Sequence, residues 1–271
     1  MRIDMYELKP SRFPIVTLLH PREYTRFVVA TVALGLLLGW LAIEQLGWPL
    51  WGATALMLVL LLAPGVAKWR ADARRYGLTA MGVSMLLAAQ GFHSVEHVAQ
   101  WIQFHMLNWS ARDSTGLLSP ANAEWVHFVW NWIVLIAVLC LLRGGMRNIW
   151  TWLLLAWALA HTLEHTYLFS RYLAVVADLR QMGLTDVTAQ GLPGVLGRDG
   201  WLARSPATQN TFLCRLPGVT TATRLDVHFW WNAGEMSLLL LAAHCYLPSV
   251  LSAARRSRRG EPHDHSAEHA E

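Results

Sequence analysis

The chain is a succession of long apolar blocks separated by short, mostly basic segments. Six blocks fall at roughly 27–44, 49–68, 77–105, 123–142, 148–172 and 225–247. Each is long enough to cross about 30 Å of hydrocarbon as a helix rising 1.5 Å per residue. The runs are too continuous for the period of two that a lipid-facing strand requires, which excludes a β-barrel. The pattern predicts an all-α, polytopic integral membrane helix bundle of six transmembrane helices.

Around this 27–252 transmembrane domain, residues 1–26 read as a cytoplasmic N-terminal arm, with Asp4, Glu7 and Glu23 in a mixed-charge segment. That segment does not resemble a secretory leader, which has a short basic start and a small-residue cleavage site. Residues 253–271 read as a disordered cytoplasmic tail, EPHDHSAEHAE at its end, with its three histidines solvated.

Composition sharpens the class. Hydrophobic residues make up 54% of the chain and charged residues 15%, against about a quarter charged in soluble domains. Fifteen tryptophans suit rings seated at the two membrane–water interfaces. The formal charge of +4 is not a nucleic-acid footprint, because its arginines sit between the apolar blocks. Arg12, Arg22 and Arg26 precede the first block, and Lys68, Arg70, Arg74 and Arg75 separate the second from the third. Arg143 and Arg147 separate the fourth from the fifth, and Arg255, Arg256, Arg258 and Arg259 follow the sixth. Basic loops stay on the cytoplasmic side, so both termini are expected inside, as in a bacterial inner or plasma membrane protein. Three loops then face outward: 45–48, 106–122 and 173–224. The last contains GLPGVLGRDGWL and reads as a folded cap, not a linker. Cys140, Cys214 and Cys245 are scattered and form neither a disulfide framework nor a thiolate metal site.

Two apolar blocks carry polar residues that are expensive in lipid: HSVEH at 93–97 and HTLEH at 161–165. Each follows LLA by four residues, and the two coincide on a shift of 68. The next block in each case carries HFVWN (127–131) or HFWWN (228–232). The chain therefore reads as an internal parallel two-helix repeat, spans 3–4 and 5–6, with a pseudo-twofold axis along the membrane normal. The second copy has 33 additional residues between its motifs, which accounts for the long outer loop. The first two spans lack the motif and form an added hairpin.

Helical spacing puts His93, Glu96 and His97 on one face, and likewise His161, Glu164 and His165. His127 and Asn131 share a face of the fourth span, and His228, Asn232 and Glu235 a face of the sixth. A rise of about 22 Å from Leu78 to His93, and about 20 Å from Asn148 to His161, puts both motifs in the outer third of the bilayer. His127 and His228 lie within about two turns of where their spans begin on the same side. All four helices thus bring polar groups to one level.

Neutral imidazole is the commonest metal ligand, and carboxylates bridge metals or orient ligating histidines. The candidate ligands are His93, Glu96, His97, His127, His161, Glu164, His165 and His228, with Asn131, Asn232 and Glu235 behind them. Glu96 and Glu164 are the candidate proton carriers. Two matched ligand sets predict a dinuclear site of transition-metal ions, copper or iron before zinc. Haem is less suited, since it needs one axial histidine per helix and not pairs flanking a glutamate. Below the motifs the chain reads IVLIAVLCLL, MSLLLLAA and WLLLAWALA, a dry floor that argues against a transport path. The favoured function is a metal-dependent oxidoreductase acting on a lipophilic or small substrate arriving from the outer side of the lipid bilayer. The alternatives are a membrane hydrolase, since HxxEH matches the inverted zinc-protease motif, and a non-enzymatic copper-binding assembly factor or sensor. Oligomers or partner subunits are compatible with this composition.

Overall fold

The computed structural model describes residues 13–185 and 191–259. Most of the expected N-terminal arm and the end of the polar tail, with His263, His265 and His269, lie outside the described residues. Among the described residues the protein is all-helical, without strands. The helices are α1 (Pro14–Leu19), α2 (Thr25–Leu46), α3 (Leu50–Tyr76), α4 (Leu78–His105), α5 (Glu124–Arg143), α6 (Ile149–Gln181), α7 (Trp201–Arg204) and α8 (Arg224–Arg259).

Among the described residues, five segments are long and apolar enough to cross a membrane: Arg22–Leu46, Leu50–Tyr76, Leu78–His105, Glu124–Arg143 and Arg224–Ser257. Helix α6, the expected fifth span, is 33 residues long but is not among them. It carries HTLEH and three tryptophans, which lower its mean hydropathy. His161, Thr162, Glu164 and His165 are buried within it.

Local sequence sets the helix ends. Helix α2 stops at Gly47, whose φ of +64° is the left-handed C-cap that glycine adopts without strain. Helix α6 starts behind Asn148, whose side-chain oxygen accepts the Thr151 N–H at 3.1 Å. The same Asn148 amide donates to the Ala242 carbonyl at 3.0 Å, which ties the start of α6 to α8. Helices α2 and α3 form a hairpin in which buried Gly35 and Gly39 sit against Met57 and Ala53, the small-residue contact typical of helix pairs in lipid.

The second block was expected to end at 68, with Lys68 in a basic loop. Instead α3 continues to Tyr76, and Lys68 and Asp72 are buried within it. The Asp72 carboxylate receives Arg22 Nη1 at 3.0 Å on one oxygen and the Lys68 ammonium on the other. Lys68 also donates to Ser84 Oγ of α4 at 2.9 Å. This network fixes the hairpin and the segment after α1 to the rest of the molecule.

Helices α4, α5, α6 and α8 form a bundle, with α5 packed on α6 and α8 packed on both α4 and α6. Its apolar core includes Val83, Leu87, Val138, Leu154, Ala242 and Leu247, together with Leu18 from α1. These residues lie along the helices on the side of the histidine motifs away from the loop segments 106–123 and 191–223. The bundle is therefore closed by apolar packing on one side of the motifs and by loops on the other.

Candidate metal centre

In both HxxEH motifs the helical repeat sorts the residues as their spacing predicts. Val95 is 53% exposed and Leu163 57%, on the outward face. Glu96, His97, His161, Glu164 and His165 are all buried, and His93 is partly so. Helices α5 and α8 add buried His127 and His228 close to their N-termini.

All six imidazoles meet in one cluster. His93 touches His97 and His127, with ring centroids 4.6 and 5.8 Å apart. His127 stacks on His165 at 5.2 Å with planes 9° apart, so the contact joins α5 to α6. His228 lies 5.9 Å from His97, 5.7 Å from His127 and 4.9 Å from His165. His161 completes the set against His165 at 4.9 Å. Three of them, His93, His97 and His127, bring ligand atoms within 4.8 Å of one another. Among the described residues the corresponding trio His161, His165 and His228 is not drawn that close.

The hydrogen-bond state of these rings bears directly on their chemistry. Nε2 of His93, His97 and His161 and both ring nitrogens of His165 are buried with no protein partner. Buried polar atoms are nearly always satisfied, so such a concentration of unpaired nitrogens needs an explanation. The Nδ1 atoms supply part of it. His97 Nδ1 lies 2.8 Å from Gln100 Oε1, His161 Nδ1 3.0 Å from Glu235 Oε2, and His228 Nδ1 2.9 Å from the Arg224 carbonyl. Each partner is an acceptor, so each ring carries its proton on Nδ1 and leaves a lone pair on Nε2. Outer partners that fix an imidazole in this way are the rule for metal-ligating histidines.

The two glutamates of the motifs, candidate ligands and proton carriers, also reach the loops. Glu96 accepts the backbone N–H groups of Leu117 and Leu118, both at 2.9 Å. Glu164 accepts those of Val195 and Leu196 at 3.0 and 3.5 Å. A Cβ at Gly116 would stand 2.2 Å from Glu96 Oε1, and one at Gly194 1.9 Å from Glu164 Oε1. Only glycine lets the backbone reach the carboxylate this closely, and Gly116 also has φ +73°. The helix motif and the loop motif therefore form one unit. Its sequence signal is GLL at 116–118 and GVL at 194–196, which spacing along the helices could not connect to the glutamates.

The residues expected behind the ligands divide. Asn131 and Asn232 turn back onto their own helices, donating to the carbonyls of His127 and His228 at 2.9 and 3.0 Å. Glu235 does reach a histidine, His161. Trp231 lies flat on the His161 ring at 5.2 Å, and Trp130 donates to Gln90 at 3.0 Å. Three further residues join the loops to the cluster. Gln100, bonded to His97, donates to Asn122 at 2.5 Å. Arg224 bridges Glu124 of α5 at 2.5 Å and the Leu192 carbonyl of the long loop. His105 pairs with Asp226 at 2.7 Å, joining the end of α4 to the start of α8.

The fold and the site together define a membrane-type helical protein with three close histidines able to hold a metal ion. No family model, no curated protein and no solved structure matches the chain, so its particular function rests on the site.

Proposed function

We propose that this chain is an integral membrane metalloprotein that binds transition-metal ions through its histidine cluster and uses them in redox chemistry. The observation that carries the reading is the set of buried imidazole nitrogens without partners, converging inside an otherwise apolar bundle. A cation held by these lone pairs would satisfy atoms that nothing else in the protein satisfies. The ligand set is His93, His97 and His127 from α4 and α5, and His161, His165 and His228 from α6 and α8. Imidazole-rich sites suit copper, iron and zinc, of which copper and iron change oxidation state.

The same reading takes α4–α5 and α6–α8 as a duplicated helix pair and α6 as a sixth membrane crossing. Several observations support it. Asn131 and Asn232 bond alike, and Glu96 and Glu164 each hold a glycine-led loop. With basic segments inside, the cluster faces the outer side of the membrane, and two ions fill two half-sites. Ring centroids within 6 Å of their neighbours throughout the cluster favour a small reactant over a bulky one. Both motif glutamates accept loop amides, which leaves them less free than an unattached carboxylate to act as the general base of a hydrolase. The metal would supply electron transfer, while the chain orients the imidazoles through Nδ1 and excludes water with its loops and apolar floor.

Elemental analysis of protein purified without chelator tests the reading, with about two transition-metal ions per chain expected. An optical or EPR signal that responds to oxygen or reductant should accompany them. Wild type that stays metal-free after incubation with copper, iron and zinc would overturn it.

A further inference from the structure

We infer that the six histidines form two unequal half-sites, and that Glu235 is the positioning residue that makes them unequal. This rests on the metal reading above and goes further, since that reading treats the two halves as equivalent.

The inequality is visible one shell behind the rings. On the α6–α8 side, His161 Nδ1 meets the Glu235 carboxylate at 3.0 Å. Glu235 stands three residues after Asn232, and the position three after Asn131 is Val134, a buried apolar side chain. No carboxylate is available there to His93. On the α4–α5 side, the outer partner is Gln100, three residues after His97. Three residues after His165 stands Leu168, again buried and apolar. Each half therefore has one polar side chain behind one histidine, at positions that do not correspond, and the two differ in charge; the remaining outer partner, on His228, is the neutral Arg224 carbonyl. The Gln100 amide has its direction fixed, because its Nε2 donates to Asn122 and leaves Oε1 for the imidazole. It can orient His97 and do little more.

A carboxylate does more than orient. It raises the basicity of the imidazole it holds, and it places negative charge behind the ligand in a medium that screens poorly. Glu235 is 1% exposed, and its second oxygen has no partner. Among the described residues no arginine or lysine pairs with it. Its charge is thus directed at whatever cation the cluster holds. The half-site built on His161, His165 and His228, whose ligand atoms lie farther apart than those of His93, His97 and His127, is the one whose affinity depends on a charge behind a ligand and favours the more oxidised ion, while the other half is oriented by a neutral group.

The test measures metal affinity by chelator competition on full-length protein in detergent, with Cu²⁺ as the probe. Two backgrounds isolate the halves: His93→Ala leaves the α6–α8 half, and His165→Ala leaves the α4–α5 half. Glu235→Gln keeps an acceptor for His161 Nδ1 but removes the charge, so it preserves packing. In His93→Ala it should weaken Cu²⁺ binding by about 10- to 100-fold, and in His165→Ala by less than about twofold. The Cu²⁺ EPR spectrum should change in the first background only. Equal weakening in both backgrounds, or none in either, overturns the inference while leaving the metal reading intact. Wild type that takes up no ion overturns both.

Discussion

Two buried polar clusters in this molecule differ in one respect: how far their polar atoms are met by other protein groups. At the end of the molecule that carries α1, Asp72 is fully buried, and both of its oxygens are paired, with Arg22 and Lys68. Lys68 has Ser84 as a further partner, and Arg22 donates to the Thr17 carbonyl at 2.6 Å and lies over the Tyr76 ring. At the loop end, six histidines are packed as closely, yet His93, His97, His161 and His165 retain buried nitrogens that nothing meets. The first cluster is complete as folded. The second leaves several ring nitrogens without a protein partner, the atoms to which the proposed metal is assigned. Burial and polarity are common to both, so neither property tells them apart; the concentration of ring nitrogens without a protein partner does.

The contrast can be broken most forcefully at Asp72. Asp72→Ala leaves buried Lys68 and partly buried Arg22 without their anion, a loss of about 3–5 kcal/mol. The detergent-solubilised protein should lose about 10 °C of thermal stability, measured by fluorescence-detected size exclusion. Metal bound per folded chain should not change; a parallel loss of metal would show that the clusters are coupled.

His97→Ala and His165→Ala should do the reverse. Each should lower metal content, while metal-free stability falls by less than in Asp72→Ala, because the cavity left behind is partly offset by removal of a buried unpaired nitrogen. Exposed His244 is the control, and His244→Ala should keep full metal content. Equal loss in all three variants would mean general destabilisation.

A smaller effect is expected where the loops are held. Gly116→Ala and Gly194→Ala force a methyl group into the carboxylate, which should destabilise the loop contacts by about 1–3 kcal/mol. Hydrogen exchange at Leu117 and Leu118, or at Val195 and Leu196, should accelerate while exchange in the helix centres stays slow.

Least disruptive is Glu96→Gln, whose amide retains one acceptor oxygen for two loop N–H groups. Leaving one N–H unpaired should destabilise the loop by about 1–2 kcal/mol, with metal content intact. If elemental analysis instead finds the loss seen for His97→Ala, Glu96 is a ligand after all.

The apolar blocks by themselves determined the helical membrane class. The i, i+3, i+4 spacing within HSVEH and HTLEH determined which residues turn inward, because helix geometry is local and lipid leaves polar groups nowhere else to go. The matching motifs on two later blocks were enough to name all six histidines. What no local rule could supply was the partner of each polar atom. That Glu96 and Glu164 hold loops depends on residues 20 or more positions away, and that Asp72 lies in a closed ion network depends on Arg22, 50 positions away. Glu235 was legible as a polar residue on the right face, but its attachment to His161 joins α8 to α6. Charge and spacing are written along the chain, whereas the pairing of donors and acceptors is decided only when helices and loops from distant segments close on one another.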